Sequence, residues 1–218
     1  MTAAPAAVGD RHTDALVAGV ADAGYAVAPS FLDAGVIAAL RARVAELVAD
    51  GALVPAAVGR GDGRALRADI RGDRIAWVDF DAPTRAERVV ADALEALRVA
   101  FNRTLQLGLF EHEAHYARYA PGAGYARHVD RFRGDDARVL SFVLYLNAGW
   151  RAGDGGELRL ETRAHGTVDV APVGGTLVAF LADGTPHEVR PARRERVSLA
   201  GWLRRRAPPP RGRRPAQC

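Results

Sequence analysis

One stretch in the first third of the chain carries apolar residues at helical spacing. They recur at intervals of four, four and three residues, which places them on one face of a predicted helix. The members of this stripe are Val36, Leu40, Val44 and Leu47. Ser30 and Asp33 have a spacing that resembles a capping box and would begin the helix, which Gly51 would end. A weaker helix is predicted over residues 13–23 and a short strand over 25–28.

A second helical stripe lies further along the chain. Thr84 and Glu87 have capping-box spacing, and five apolar residues then follow at helical intervals up to about Gly108. They are Val90, Leu94, Leu97, Phe101 and Leu105. Between the two helices, a glycine-rich loop at 59–63 precedes a segment, 69–78, that resembles two short strands around a turn. Both stripes need an apolar surface to pack against.

From about residue 112 the apolar positions alternate, with turn residues between short runs. The pattern predicts eight strands, at residues 113–119, 125–129, 138–147, 157–161, 167–171, 176–181, 187–190 and 195–203. Eight short antiparallel strands after a helical half predict an α+β fold. We expect a double-stranded β-helix, a cupin-like jelly roll, with the N-terminal helices packed on one face.

The strand predicted at 138–147 has two apolar faces of different kinds. Large aliphatic and aromatic side chains occupy one face: Leu140, Phe142, Leu144 and Leu146. The other face carries Val139, Ser141, Val143 and Tyr145. The first face can accept the helical stripes, whereas the second is typical of the lining of a ligand cavity.

Three side chains are candidate metal ligands: His128, Asp130 and His187. Residues two apart on a strand point the same way, so His128 and Asp130 can reach one ion, and His187 can complete the set. Two histidines and a carboxylate leave open positions on an octahedral metal, which is the arrangement of non-haem Fe(II) oxygenases. Otherwise the histidines would be hydrogen-bonded core residues and Asp130 a turn residue. His112 and His115 lie before this motif and are expected at the surface.

Arg196 begins the last predicted strand, and Ser198, Ala200 and Trp202 share its face. If this face lines the cavity, the guanidinium is buried, and burying it unpaired would cost several kcal/mol. Glu195 points to the opposite face and cannot be the partner. A ligand carboxylate would satisfy Arg196 through two bonds of about 1.5–3 kcal/mol each, while the other end of the ligand chelates the metal.

Composition excludes several classes of protein. With 49% hydrophobic and 26% charged residues, the 218-residue chain is neither collagenous nor wholly disordered. Its one cysteine, Cys218, cannot form an intrachain disulfide, which favours the reducing cytoplasm. No apolar run reaches the roughly 20 residues of a membrane helix, and the first ten residues lack the features of a signal peptide.

Charge is concentrated at the C-terminal end. All 30 basic residues are arginine, and six lie in 204–218, so the rest of the chain carries a net charge of −2 rather than +4. We expect this Arg- and Pro-rich stretch to be a disordered tail. We expect no membrane partner and no nucleic-acid partner, apart from a weak contact that the tail could make with RNA or a membrane surface.

Several segments, in their order along the chain, resemble one enzyme family. They are Asp69-Ile-Arg-Gly-Asp-Arg-Ile-Ala-Trp77, Tyr119-Ala-Pro-Gly-Ala-Gly-Tyr-Ala-Arg-His-Val-Asp130, Tyr145-Leu-Asn147, Gly155-Gly156, Pro186-His-Glu-Val-Arg-Pro191 and Arg196-Val-Ser-Leu-Ala-Gly-Trp202. The set, over about residues 65–203, is similar to the 2-oxoglutarate- and Fe(II)-dependent prolyl 4-hydroxylases. It especially resembles the hypoxia-inducible-factor type and its bacterial relatives.

The resemblance implies roles for ten residues. His128, Asp130 and His187 would hold Fe(II), and Arg196 would bind the distal carboxylate of 2-oxoglutarate. Tyr145 would hydrogen-bond the same carboxylate, Tyr119 would lie near the chelating end, and Tyr125 would line the pocket near the metal. Arg71, Asp73 and Trp77 would belong to a substrate-side loop.

The implied reaction consumes O2 and 2-oxoglutarate, releases succinate and CO2, and hydroxylates a prolyl residue on an exposed loop of a protein, with ascorbate as the supporting reductant. Asp130 favours hydroxylation, because a halogenase of this type leaves its coordination site to halide. Segments 59–73 and 131–136 would close over the target. The family carries a hydroxyl residue in place of Ala200 in its animal members, and this departure concerns the target more than the iron chemistry.

The division of the chain follows from these assignments. Residues 1–111 would form a helical support with the substrate-side loop, 112–203 the oxygenase jelly roll and 204–218 the tail. Three alternatives stay open for the activity. The same chemistry could act on a free amino acid or small metabolite, the three ligands could serve a zinc hydrolase, or a cupin-like module could bind metal without turnover.

Overall fold

A computed structural model describes residues 10–59, 65–130 and 137–206. The helices of these ranges are α1 Asp10–Ala23, α2 Ala34–Ala49 and α3 Arg85–Leu105. The strands are β1 Tyr25–Ala28, β2 Val54–Pro55, β3 Asp73–Trp77, β4 Leu109–Tyr119, β5 Tyr125–His128, β6 Arg138–Tyr145, β7 Leu158–Thr162, β8 Gly166–Val170, β9 Leu177–Leu181, β10 His187–Val189 and β11 Arg196–Arg205. No helix in the described ranges combines the length and the apolar character that crossing a membrane requires.

The strands form two antiparallel sheets. The larger sheet has the order β1-β9-β6-β11-β4-β3-β2, and the smaller has the order β5-β10-β7-β8. The eight strands from β4 to β11 divide equally between the sheets, four in each, while β1, β2 and β3 extend the edges of the larger sheet. This arrangement confirms the predicted α+β fold and its double-stranded β-helix.

The helices pack on the outer face of the larger sheet. One buried cluster joins the helical stripes to the large side chains of β6. It contains Leu40, Val44, Leu94, Leu97, Phe101, Leu140, Phe142, Leu144 and Leu146. The predicted pairing between helical stripe and strand face is therefore confirmed, and the helices hold the larger sheet rigid behind the site.

A second buried cluster lies between the two sheets. It is richer in aromatic side chains and includes Tyr119, Tyr145, Leu160, Phe180 and Val189. Tyr119, Phe180 and Val189 line a cavity, so the cluster does not fill the space between the sheets completely. The inner face of the roll is therefore where ligands have room to bind.

The helix starts differ in their capping. At α3 the predicted capping box is confirmed, because the side chains of Thr84 and Glu87 each accept a hydrogen bond from the other residue's backbone N–H. At α2 the predicted box is wrong. Asp33 is the N-cap and accepts a 2.9 Å hydrogen bond from Val36 N–H, whereas Ser30 has a φ of 51° and lies outside the helix.

Segment 69–78 forms one strand, not the two that were predicted. Residues 68–70 are a turn, which backbone hydrogen bonds from Ile70 and Arg71 to the carbonyl of Arg67 close. Arg71 makes only an isolated bridge to Tyr125, and the regular strand begins at Asp73. The loop predicted at 59–63 lies outside the described residues from 60 onward, as does segment 131–136.

The end of β11 also differs from its prediction. The strand continues to Arg205, because Arg204 pairs with Glu111 and Glu113 of β4 at 3.1 Å. Arg204 and Arg205 therefore belong to the sheet rather than to the predicted tail, whose remainder from 207 onward lies outside the described residues. Near this end the register shifts between Leu203 and Arg204, and Val139 packs on the helix side instead of the cavity side.

Candidate active site

Three neighbouring strands of the larger sheet form the floor of the site. In register, Asp73 of β3 lies opposite Tyr119 of β4, which lies opposite Arg196 of β11. Four residues further along β3 and β4, Trp77 pairs with His115. Because alternate strand residues share a face, this floor presents two rows of side chains to the interior. The row at Arg196 is buried, and the row at Trp77 borders the surface.

The three predicted metal ligands converge opposite this floor. One ligand atom from each of His128, Asp130 and His187 lies within 4.8 Å of the others. The two histidines are register partners on β5 and β10 of the smaller sheet. Their Nε2 atoms lie 3.7 Å and 3.6 Å from the two carboxylate oxygens of Asp130. The smaller sheet thus positions both imidazoles, and the residue that follows β5 by two supplies the carboxylate.

Each imidazole is oriented by a backbone carbonyl. The Nδ1 atom of His128 lies 2.8 Å from the carbonyl oxygen of Ala126, and that of His187 lies 3.0 Å from that of Thr185. A carbonyl oxygen accepts a hydrogen bond, so these contacts place hydrogen on Nδ1 and leave the Nε2 lone pairs to face the centre. Burial, reinforced by His187, lowers the pKa of His128 to about 4. The imidazole of His128 is therefore neutral at physiological pH and can donate the Nε2 lone pair to a metal ion.

Asp130 is held in its ionised form. Burial alone would raise its pKa, but the two histidines and a hydrogen bond from the Ser141 hydroxyl bring the pKa below its usual range. That hydrogen bond, from Ser141 Oγ to Asp130 Oδ2, measures 2.6 Å. Two imidazoles and one carboxylate on one side of a cavity fit a divalent iron ion that keeps open positions.

Arg196 is fully buried beneath the metal ligands, with 1% of its surface exposed. Its Nε donates to the carbonyl oxygen of Gly156 at 2.9 Å, and one terminal nitrogen donates to Ser198 at 3.4 Å. The other terminal nitrogen, Nη2, is buried and has no partner among the described residues. Glu195 instead pairs with Arg118 on the opposite face, as predicted. No described carboxylate forms an ion pair with Arg196.

Two tyrosines flank the guanidinium of Arg196. Its central carbon lies 5.1 Å from the ring centre of Tyr145 and 5.3 Å from that of Tyr119. Burial raises the pKa of Tyr145 to about 12, although the positive charge of Arg196 acts to lower it. Burial also raises the pKa of Tyr119. Both hydroxyls therefore keep their protons. The hydroxyl of Tyr145 is buried without a hydrogen-bond partner in the described ranges.

Tyr125 lies near the metal ligands, as predicted. Its ring stacks on His128 with 3.6 Å between ring centres, and the guanidinium of Arg71 lies 4.8 Å from its centre on the floor side. Arg71 makes two hydrogen bonds, of 2.7 Å and 3.0 Å, to the buried carboxylate of Asp73. The predicted substrate-side pair thus forms one structural unit with Tyr125.

Two spaces that share several lining residues adjoin these side chains. The inner cavity, of about 60 Å³, lies between the metal ligands and Arg196. The mouth cavity, of about 320 Å³, opens to the surface and is lined by Trp77, Val129, Arg138 and Trp202, among others. Trp77 is 53% exposed, so it borders the mouth rather than the interior. Nine of the ten predicted site residues therefore line one of the two spaces, and the tenth, Tyr145, is buried beside Arg196.

Two residues of the site were not anticipated. His115, predicted at the surface, is buried and lines both cavities. The alternation of side chains along the strand predicts this position. His115 lies four residues before Tyr119 on the same strand and therefore shares its face. Ser141 was assigned to the cavity face, but its bond to Asp130 was not predicted, since it depends on the path of the loop that follows β5.

Comparison with known proteins identifies relatives of this architecture. A family model described as the 2OG-Fe(II) oxygenase superfamily matches residues 114–204. A prolyl-4-hydroxylase from Pseudomonas putida is 45% identical over 89% of this chain and 99% of its own, with a TM-score of 0.80. A prolyl hydroxylase from Trichoplax adhaerens, solved with a hypoxia inducible factor oxygen degradation domain peptide fragment, is 26% identical over 89% of this chain and 90% of its own, with a TM-score of 0.80.

A more distant structure shares the fold. The non-heme alpha ketoglutarate dependent carbocyclase SnoK from nogalamycin biosynthesis is 13% identical over 87% of this chain and 83% of its own, with a TM-score of 0.66. At this identity the likeness concerns architecture alone.

Proposed function

Because this chain belongs to the 2-oxoglutarate- and Fe(II)-dependent prolyl 4-hydroxylases, we propose that it hydroxylates a prolyl residue within a protein. It is a 2-oxoglutarate-dependent dioxygenase that uses Fe(II) and O2. Bound Fe(II) supplies the activation of O2 that couples decarboxylation of 2-oxoglutarate to succinate with hydroxylation of the substrate. The protein contributes binding, orientation and exclusion of water.

Iron would be held by His128, Asp130 and His187. The donor set supports this assignment, since both imidazoles are oriented with Nε2 toward the centre and the carboxylate is ionised. A closed zinc site would use a fourth protein ligand, and no further His, Cys, Asp or Glu joins this group among the described residues.

The observation that carries the proposal is the set of buried hydrogen-bonding groups without partners at Arg196. A buried guanidinium nitrogen and a buried tyrosine hydroxyl, Nη2 of Arg196 and the hydroxyl of Tyr145, lack partners in the described part of the chain. Such groups are costly unless a ligand satisfies them. The distal carboxylate of 2-oxoglutarate would accept from both, while Tyr119 and Tyr125 line the remainder of its pocket.

A prolyl residue within a peptide, rather than a free amino acid, suits the mouth cavity. Its described arginines are already paired, Arg71 with Asp73 and Arg138 with Glu113 at 3.1 Å, so neither is reserved for a substrate carboxylate. Trp77 offers an exposed apolar surface on which a pyrrolidine ring can pack. The Trichoplax adhaerens relative with its bound peptide fragment supports the same substrate class. Arg71, Asp73 and Trp77 would thus border the target.

The remaining assignments are proposals from the sequence. We place the protein in the cytoplasm, because a chain with one cysteine, Cys218, has no structural need of an oxidising compartment. Ascorbate would maintain the iron in its reduced form. Residues 1–111 would serve as the support and 112–203 as the oxygenase roll.

The test uses anaerobically purified protein supplied with Fe(II), 2-oxoglutarate and O2 in a cell lysate. Mass spectrometry should find peptides that gain one oxygen atom on proline, with succinate formed in proportion. Free proline is tested separately as the alternative substrate. Its hydroxylation without any peptide product would favour the small-metabolite alternative. Turnover without 2-oxoglutarate or O2 would favour a zinc hydrolase, and metal binding without succinate would indicate a binding module.

A further inference from the structure

We propose that His115 is a substrate-binding residue that donates a hydrogen bond to a backbone carbonyl of the peptide beside the target proline. This inference rests on the proposed prolyl hydroxylase function and names a contact for its substrate. It assigns a role to a buried polar side chain that neither holds the iron nor contacts the distal carboxylate of 2-oxoglutarate in the proposed function.

His115 lies at the boundary between the two cavities. It is 3% exposed and lines both of them. Its ring centre lies 5.0 Å from that of Trp77 and 5.5 Å from that of Trp202, with which it is stacked at 30°. The two indoles hold the imidazole in place, so its nitrogens have a fixed direction.

The imidazole has hydrogen-bonding capacity to offer. Its Nδ1 atom is buried and has no partner among the residues that the structure describes. Burial, reinforced by the charge of Arg71, lowers the pKa of His115 to about 4, so the ring is neutral and carries one N–H donor and one acceptor. A neutral ring brings no charge into the cavity, so an uncharged acceptor such as an amide carbonyl suits its N–H donor.

The position of His115 points to the peptide rather than to 2-oxoglutarate. Its register partner on β11 is Ala200, four residues from Arg196, which binds the far end of the cosubstrate in the proposed function. It also pairs with Trp77, whose exposed ring borders the mouth. The residue therefore lies on the side of the metal ligands from which a protein target approaches.

A prolyl target supplies the matching acceptor. The nitrogen of a prolyl residue carries no hydrogen, so the polar atoms nearest to its ring are the carbonyl oxygens on either side. Entry of these oxygens into a cavity walled by indoles removes them from water, and a donor must then compensate. His115 provides that donor while the exposed ring of Trp77 packs against the apolar ring.

The test compares His115→Phe, which keeps an aromatic ring without nitrogens, with His115→Gln, which keeps a donor and an acceptor. The substrates are blocked synthetic peptides that carry a single central proline between random flanks. We expect the Phe variant to raise the KM for peptide about three- to tenfold, which corresponds to one hydrogen bond. The KM for 2-oxoglutarate and the affinity for metal should not change, and the Gln variant should recover most of the loss.

An unchanged peptide KM in the Phe variant would overturn the inference, as would a rise confined to the KM for 2-oxoglutarate. If the Phe variant does not fold, His115→Leu provides the same comparison with Gln. Failure of the proposed function would be distinguishable from failure of this inference, because the unmodified enzyme would then hydroxylate none of the peptides.

Discussion

The hydroxyl of Ser141 donates a 2.6 Å hydrogen bond to Oδ2 of Asp130, the same oxygen that lies 3.6 Å from Nε2 of His187. This contact fixes the rotation of a carboxylate that follows the end of its strand by two residues. A serine on the rigid larger sheet thus orients a ligand that is carried by the smaller one. Outer contacts of this kind typically contribute 10- to 100-fold to metal affinity.

We therefore expect Ser141→Ala to bind Fe(II) or Mn(II) about 10- to 100-fold more weakly, because the carboxylate loses its orientation. Calorimetric titration under anaerobic conditions measures this directly. Ser141→Thr retains the hydroxyl and is the matched control. Equal metal affinity in the Ala variant and the unmodified protein would show that the hydrogen bond is incidental.

Replacement of Arg196 should affect the cosubstrate and not the metal. Loss of one charge-assisted hydrogen bond costs about 1.5–3 kcal/mol, so Arg196→Lys should raise the KM for 2-oxoglutarate about tenfold or more. Metal affinity should remain within error. Arg118→Ala removes an arginine from the outer face of the neighbouring strand and should leave both quantities unchanged. A normal KM in Arg196→Lys would place the cosubstrate elsewhere.

Two arginine–aspartate pairs with identical sequence spacing allow a comparison of burial. In the pair Arg71–Asp73 the side chains are 15% and 0% exposed, whereas in Arg67–Asp69 they are 54% and 64% exposed. Asp73→Asn leaves a buried guanidinium without its counter-charge and should lower the free energy of unfolding by about 3–5 kcal/mol in urea titrations. Asp69→Asn should produce no measurable change, since exposed pairs contribute little. Equal effects would contradict the assigned burial.

The stability of the metal-free protein should depend on pH through its buried histidines. The pKa values of His115 and His128 are both lowered by burial to about 4 from an unfolded value of 6.5. Between these two pH values the unfolded chain binds more protons than the folded one, so the free energy of unfolding should fall as the pH drops through this window. Above about pH 7 these two residues should contribute no pH dependence.

Each of these histidines should contribute on the order of 3 kcal/mol across that window. His115→Phe should therefore remove about half of the slope that the two produce. Urea denaturation at several pH values, with metal excluded by chelator, measures the effect. If the slope were unchanged in His115→Phe, His115 would not be buried in its neutral form.

Much of the fold was predictable because local spacing and packing agree. The apolar stripe of α3 and the face of β6 that carries large apolar side chains each predict a buried surface. In the structure, Leu94 and Phe101 of α3 belong to the same buried cluster as Leu140 and Phe142 of β6. The short elements were less predictable. Asp33 caps α2 in place of Ser30, because one side chain's contact with Val36 N–H decides the start of the helix, and spacing alone permits both.

The candidate site was likewise predictable only where the spacing along a single strand determines which face a residue occupies. Parity along a single strand places Arg196, Ser198 and Ala200 on the cavity face. The resemblance assigns His128, Asp130 and His187 to one centre, where their ligand atoms meet. Contacts between sheets, such as Ser141 with Asp130, depend on loop paths that no periodicity encodes. The position of His115 before the metal-ligand motif suggests the surface, whereas strand parity places it on the same face as Tyr119 and agrees with the structure.

In the proposed function, the floor strands would carry cosubstrate recognition at one end and target recognition at the other. Arg196 and Trp202 are six residues apart on β11, roughly 20 Å along an extended strand. Evolution can therefore retarget such an enzyme by exchanging residues around the opening, while the machinery that consumes 2-oxoglutarate is inherited intact. A lineage that acquires a new protein target in this way has no need to reinvent its oxygen chemistry.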